Sequence, residues 1–248
     1  MVEINQIYNM DCLEGMKLID DKSIDMILCD LPYFQVAKES WDNNWNELDD
    51  YLHWVELNLV EYNRILKDNS NLFLFTGRQY NRYISILLDK YFIEKRIIIW
   101  ARKRAFNNTR GRTLTSGYEP LCWYSKGKES IYNNMKIKSD SRRKEYTTGI
   151  LKDGICISDV WGDIPALPHN SKEKTSHSTQ KPLKLIERIV KIGSDDEYIV
   201  LDNCIGSGTT AIACIKTNRN FIGFELNKEY FNIANKRIEA EKSQLKLI

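Results

Sequence analysis

The sequence predicts an α/β fold: a Rossmann-like, doubly wound and mostly parallel sheet. Three observations carry this. Short continuous apolar runs alternate with stretches of helical periodicity, as strands covered by helices on both faces require. Two of the runs stop at an aspartate followed by turn residues, Asp30-Leu31-Pro32-Tyr33 and Asp202-Asn203-Cys204-Ile205-Gly206, and open sheets place their ligand loops at such strand ends. The 248 residues suffice for one well-buried domain with insertions, so 1–248 is read as a single domain.

In chain order, Met26-Ile27-Leu28-Cys29 predicts a buried strand ending at Asp30. Leu48, Leu52, Val55, Leu59, Tyr62 and Leu66 recur at three- and four-residue spacings, which predicts an amphipathic helix over about 46–66. Leu72-Phe73-Leu74-Phe75, Ile97-Ile98-Ile99-Trp100 and Leu121-Cys122-Trp123-Tyr124 are the next strands. Residues 126–176 lose this regularity, turn polar and contain Gly149, Gly154, Gly162, Pro165 and Pro168. They read as an inserted recognition segment. Pro182 starts a helix that Gly193 closes. Tyr198-Ile199-Val200-Leu201 is a strand, 209–217 a helix, Phe221-Ile222-Gly223-Phe224 a strand, and about 228–240 a final helix.

Composition narrows the class. Hydrophobic residues make up 42% and charged residues 28%, ordinary globular usage. No window holds the ~20 apolar residues of a membrane span, and Met1-Val2-Glu3 opens into Ile4 without a signal-peptide pattern, so a cytoplasmic location and no membrane partner are expected. Six cysteines without a Cys-x-x-Cys pair and three scattered histidines point to buried reduced thiols and no metal site. The net charge of +2 hides an asymmetry. Residues 95–145 hold fourteen Lys or Arg against four acids, a local +10, while the remaining 22 basic and 30 acidic residues give −8. A concentrated basic stretch suits a polyanion such as double-stranded DNA, with Arg102, Lys103, Arg104, Arg110 and Arg112 as the expected backbone-phosphate contacts; a solvated loop with chance clustering is the alternative.

The second aspartate loop suits a nucleoside cofactor. Gly206 and Gly208 allow a tight turn into a helix and close backbone approach by a ligand. Glu225 ends the next strand nineteen residues past Gly206, where a carboxylate can accept from ribose hydroxyls. Gly206-Ser207-Gly208-Thr209-Thr210-Ala211 also satisfies a dinucleotide pattern, so NAD stays open on the motif alone. Only 23 residues follow Glu225, so the other strands come from upstream, as in a circularly permuted chain. Lys181 and the amides opening the helix after Pro182 make an anion site suited to the single carboxylate of S-adenosylmethionine, while the segment taken alone also reads as an ordinary helix entry with proline at its first turn.

The first loop suits an exocyclic amine. A nucleobase amino group is a poor nucleophile because its lone pair is delocalised into the ring. Asp30 and the carbonyl of Leu31 can accept its two hydrogens, Pro32 stiffens the turn and Tyr33 can stack on the base. A base in a duplex must be flipped out to reach such a pocket.

Taken together, these segments resemble the β-group of amino-methylating DNA methyltransferases, the N6-adenine and N4-cytosine family. Asp30–Tyr33 is similar to its Asp-Pro-Pro-Tyr element, His177–Pro182 to His-Pro-Thr-Gln-Lys-Pro, and 201–210 to Leu-Asp-Pro-Phe-x-Gly-Ser-Gly-Thr-Thr. Phe221–Glu225 and Asn227–Tyr230 match the family's ending, and Asp11-Cys12 the place of its adenine contact. The resemblance implies the S-adenosylmethionine-dependent methyltransferase fold in permuted order. A catalytic half covers about 1–125, the target-recognition segment about 126–176 and a cofactor-binding half about 177–248. It implies a cofactor set of Asp11, Cys12, Asp30, Thr179 and Lys181 with Asp202, Asn203 and Cys204. Gly206, Gly208, Thr209, Thr210, Glu225 and Leu226 complete that set.

Three positions depart from the pattern: Leu31 and Ser178 replace prolines, and Asn203-Cys204 replaces Pro-Phe, which removes an aromatic near the cofactor. The activity implied is site-specific methylation of adenine N6. N4-cytosine methylation is the alternative, followed by RNA methylation or a catalytically silent nucleic-acid-binding module. A cognate restriction endonuclease and a homodimer are open.

Overall fold

A computed structural model describes residues 2–35, 44–106, 114–137, 155–168 and 170–245. The N-terminal part runs β1 (Gln6–Tyr8), α1 (Cys12–Met16), β2 (Ile24–Asp30), α2 (Leu48–Ile65), β3 (Leu66–Phe75) and α3 (Asn81–Leu88). The long strands β4 (Ile93–Phe106) and β5 (Ser116–Ser125) follow, then the short β6 (Lys136–Ile137), β7 (Ile155–Cys156) and β8 (Val160–Trp161). The chain closes with α4 (Leu183–Gly193), β9 (Ile199–Asp202), α5 (Thr209–Lys216), β10 (Asn220–Phe224) and α6 (Lys228–Leu245). Among the described residues, no helix is long and apolar enough to cross a membrane.

Eight strands form one sheet in the order β1-β10-β9-β2-β3-β5-β4-β8, and β6 pairs with β7 separately. Every apolar run divides between two cores because successive side chains in a strand point to opposite faces. Met26, Leu28, Phe73, Phe75, Val200 and Phe221 face a layer that includes α4, α5 and α6. Ile27, Cys29, Leu72, Leu74, Leu201 and Phe224 face the layer of α1, α2 and α3. Helices therefore cover both faces, as the unbroken apolar strands predict.

Strand β5 runs antiparallel to both β3 and β4, while the other neighbouring pairs of the main sheet are parallel. The nine residues between β4 and β5 are too few for the crossover that a parallel pair needs, which takes about a dozen or more. The reversal brings the first residues of β5 to the edge where the parallel strands end, and Glu119 comes opposite Trp100 there.

Sequence boundaries shift in instructive ways. Pro182 is the residue before α4 rather than its first helical residue. Gly193 lies inside the helix end, packed on the Phe73 ring, and Ser194 closes the helix by donating its hydroxyl to the Val190 carbonyl at 2.6 Å. The short β1, α3 and β8 carried too little periodicity to be seen in the sequence. Although 126–176 reads as an insertion, from Val160 the chain is back in the main sheet: β8 pairs with β4, and Trp161 and Ile164 are buried in the core.

Candidate active site

The two aspartate loops meet because β2 and β9 are adjacent and parallel, with Met26 opposite Val200 and Ile27 opposite Leu201. Their ends therefore open on the same edge, into a cavity of about 360 Å³. Asp30, Leu31, Pro32 and Tyr33 line one side, and Asp202, Asn203, Cys204, Gly206, Thr209 and Thr210 the other. Asp11, Cys12, Thr179, Lys181, Glu225 and Leu226 line it too. Of the sequence-derived cofactor set only Gly208 lies off the wall. Its backbone takes φ +81 at the start of α5, and a Cβ there would come 2.9 Å from Cβ of Ala234 on α6. The absence of a side chain at Gly208 lets the turn form and α6 pack.

Asp30 is held at both oxygens. The Tyr33 hydroxyl donates to Oδ1 at 2.7 Å, and the ammonium of Lys181 donates to Oδ2. Burial, followed by the negative charge of Asp30, raises the Tyr33 phenol well above its ordinary range, so it stays a neutral donor. The Tyr51 hydroxyl donates to the Pro32 carbonyl at 3.0 Å and fixes the turn on α2. Lys181, expected at an anion of the cofactor, turns its ammonium to Asp30 and, at 3.4 Å, to Glu119. It lies 4.9 Å from the Phe75 ring centroid, and Phe75 is paired with Asp30 across the sheet.

The opposite wall is braced from within. Asp202 accepts from the Thr210 hydroxyl at 2.5 Å and the Cys204 amide at 3.2 Å. Burial pushes its carboxyl up to about 7. Glu225 accepts from the Gly206 amide at 2.9 Å and the Asn227 amide at 2.7 Å. Burial raises its carboxyl as well. Asp11 caps α1 by accepting from Leu13 and Glu14 amides at 2.9 and 3.2 Å. A Cβ on Gly206, where φ is +54, would come 2.8 Å from Nε2 of His177. The His177 ring in turn rests against Tyr230, with centroids 4.4 Å apart. Burial, then Lys181, Lys174 and Arg237, pull the His177 imidazole down to about 4, so it is neutral near pH 7.

Asn203 explains itself in three dimensions. Its side chain is 1% exposed and turns into α2. It donates to Asn58 Oδ1 at 2.8 Å and accepts from the Tyr62 hydroxyl at 2.6 Å. Where the sequence lacks an aromatic at Cys204, the cavity wall still carries Trp45 and Trp54. These two, with Phe75, His177 and Tyr230, escaped the sequence-derived set. Phe75 had a signal, a strand end like Asp30; Trp54 had only its place off the apolar stripe of α2.

The basic stretch is described in part. Arg102 directs its guanidinium inward, donating to Glu119 at 2.9 Å and to the Ser116 hydroxyl at 3.1 Å. Lys103 and Arg104 belong to β4, and Arg110 and Arg112 lie outside the described residues. The six cysteines carry free thiols.

A family described as DNA methylase matches residues 24–236. The chain belongs to the DNA methylase family. The methylase is 31% identical over 259 residues to the Type II methyltransferase M1.MboII of Moraxella bovis, covering 95% of this chain and 96% of that protein. It is 27% identical over 256 residues to the DNA adenine methyltransferase YhdJ of Escherichia coli K12, covering 96% of this chain and 83% of the other. The crystal structure of the M1.HpyAVI–SAM complex superposes on this methylase with a TM-score of 0.69 and 28% identity, covering 94% of this chain and 98% of that one.

Proposed function

We propose that this methylase transfers a methyl group from S-adenosylmethionine to the exocyclic N6 of an adenine flipped out of double-stranded DNA. One observation carries the reading: the Asp30 carboxylate and the Gly206 turn share one cavity at the ends of adjacent parallel strands. The cavity's chemistry fits the cofactor. Gly206 presents bare backbone on the cavity wall in a turn with φ +54, and Glu225 keeps acceptor capacity beyond its two amide bonds for ribose hydroxyls. Asp11 and Cys12 would border the adenine side. S-adenosylmethionine, when bound, supplies an electrophilic methyl group on a sulfonium.

The protein's own part is positioning. Asp30 and the Leu31 carbonyl accept the two amine hydrogens, which frees the nitrogen lone pair from the ring. Tyr33 offers an aromatic face to the flipped base, offsetting part of the unstacking energy. An aspartate at position 30, and the adenine substrate in the name of YhdJ, support adenine over cytosine. The Type II relatives support a place in restriction–modification, beside an endonuclease that cuts the same unmethylated site in the cytoplasm. Sedimentation velocity tests a homodimer.

The deciding experiment incubates the protein with methyl-labelled cofactor and DNA, then digests the DNA to nucleosides. Label in N6-methyladenine is expected. Label in N4-methylcytosine would overturn the adenine assignment, and no labelled base would overturn the chemistry. Asp30→Ala should abolish transfer while leaving cofactor binding within about threefold of wild type.

A further inference from the structure

We propose that Glu119 is a positioning residue for methyl transfer, holding the Lys181 ammonium so that it fixes the carboxylate of Asp30. This rests on the functional reading above. Four charges alternate in sign from the cavity into the sheet: Asp30 on β2, Lys181 before α4, Glu119 on β5 and Arg102 on β4. Lys181 donates to Asp30 Oδ2 and faces Glu119 Oε2 at 3.4 Å, with its side chain 7% exposed. Glu119 Oε1 accepts from Arg102 at 2.9 Å. Its Oε2 is buried without a hydrogen-bond partner among the described residues and lies 3.4 Å from the Lys181 ammonium.

The arrangement has a mechanical consequence. A lysine ammonium is a point charge on a flexible stem, and a single carboxylate would leave it free to swing about that partner. Two carboxylates on different strands pin it between β2 and β5. A pinned ammonium fixes the rotation of the Asp30 carboxylate, which the Tyr33 hydroxyl holds at the other oxygen. When the target amine arrives at Asp30, the second acceptor on Glu119 can take more of the ammonium. The reversed direction of β5 is what brings Glu119 to this edge. No bond to Glu119 forms or breaks in the reaction.

Lys181 also supplies a readout that a purely structural role would not move. Burial lowers its pKa, but Asp30 and then Glu119 more than offset this, so it stands above the ordinary value. Also facing it are the Tyr33 phenol and, from the preceding segment, Lys174 and His177, whose own pKa values it lowers. Removing the Glu119 charge makes Lys181 give up its proton at lower pH.

The test is Glu119→Gln in single-turnover methylation of DNA. The expected result is a rate lower by about ten- to a hundredfold with cofactor and DNA dissociation constants within about threefold of wild type. Glu119→Asp should give an intermediate rate, and the Gln variant should lose rate at a lower alkaline pH than wild type. In a Lys181→Met background, Glu119→Gln should add less than about twofold. A wild-type rate in Glu119→Gln, or an undiminished effect in the Lys181→Met background, overturns the proposal. If Glu119→Gln is too unstable to assay, a wild-type rate in Glu119→Asp overturns it equally. A wild-type protein that methylates no base fails the functional reading and takes this inference with it; a methylating wild type beside an indifferent variant fails the inference alone.

Discussion

Asp202 places an acid where it ionises only against resistance, and pH can read that resistance. It is 5% exposed at the end of β9. Burial pushes its carboxyl from the ordinary 3.8 to about 7 against hydrogen bonds from the Thr210 hydroxyl and the Cys204 amide, with Asp30 and Glu225 adding to the effect of burial. A carboxyl whose folded pKa exceeds its unfolded one binds more protons in the folded state between the two values. Unfolding free energy therefore falls as pH rises through that window and levels off above it. At about 1.4 kcal/mol per pH unit the whole window amounts to roughly 4 kcal/mol. The part lying between about pH 5 and pH 8 is roughly 2.5 kcal/mol. Asp202→Asn removes the titration. Glu173 and His177, which do not act on Asp202, titrate in both proteins, so their contributions cancel in the comparison. Urea unfolding of cofactor-free wild type and variant across this range should show the wild type losing roughly 2.5 kcal/mol more than the variant. Equal pH slopes would refute the argument that the fold forces a buried charge at Asp202.

Further tests bear on the same loops. Gly208→Ala would force a side chain into φ +81 and bring its Cβ 2.9 Å from Ala234 Cβ. The left-handed strain alone is about 1–2 kcal/mol, so a loss of at least that size in urea unfolding, with weaker cofactor binding by calorimetry, is expected. Asn203→Ala would remove the acceptor of the buried Tyr62 hydroxyl and the amide donor to Asn58 Oδ1, which keeps only the weaker Cys12 thiol. It should destabilise by about 2–4 kcal/mol in urea unfolding, and a neutral result would mean the pair finds other partners. Arg188, 6% exposed, makes a two-pronged bond to Asp163 at 2.8 and 2.5 Å and lies 5.2 Å from the Trp161 ring centroid. Because Asp163 is half open to water, Arg188→Met should cost only about 1–2 kcal/mol by thermal melting.

Much of the site was legible along the chain. An apolar run stopping at Asp30, another stopping at Asp202, a glycine turn and a glutamate at the next strand end are local patterns. They state what each segment can do, because strand period, turn chemistry and backbone freedom act over a few residues. The helices α2, α4, α5 and α6 were visible for the same reason: their apolar faces repeat every three or four residues. Gly208 marks the limit of such reading, since its sequence neighbours show a turn glycine but not that its left-handed backbone lies against Ala234 of α6.

The sequence by itself thus determined the strand–helix alternation and the chemistry available at two strand ends. Only the tertiary structure decided that β2 lies beside β9, that β5 runs backwards, and that Lys181 reaches Asp30 across 151 positions. It also turned Asn203 into α2 and brought Trp54 to the cavity. Strand order and the partners of a buried charge follow from how two whole helical layers fill the faces of one sheet. That balance is summed over contacts far apart in the chain, and no short segment carries it.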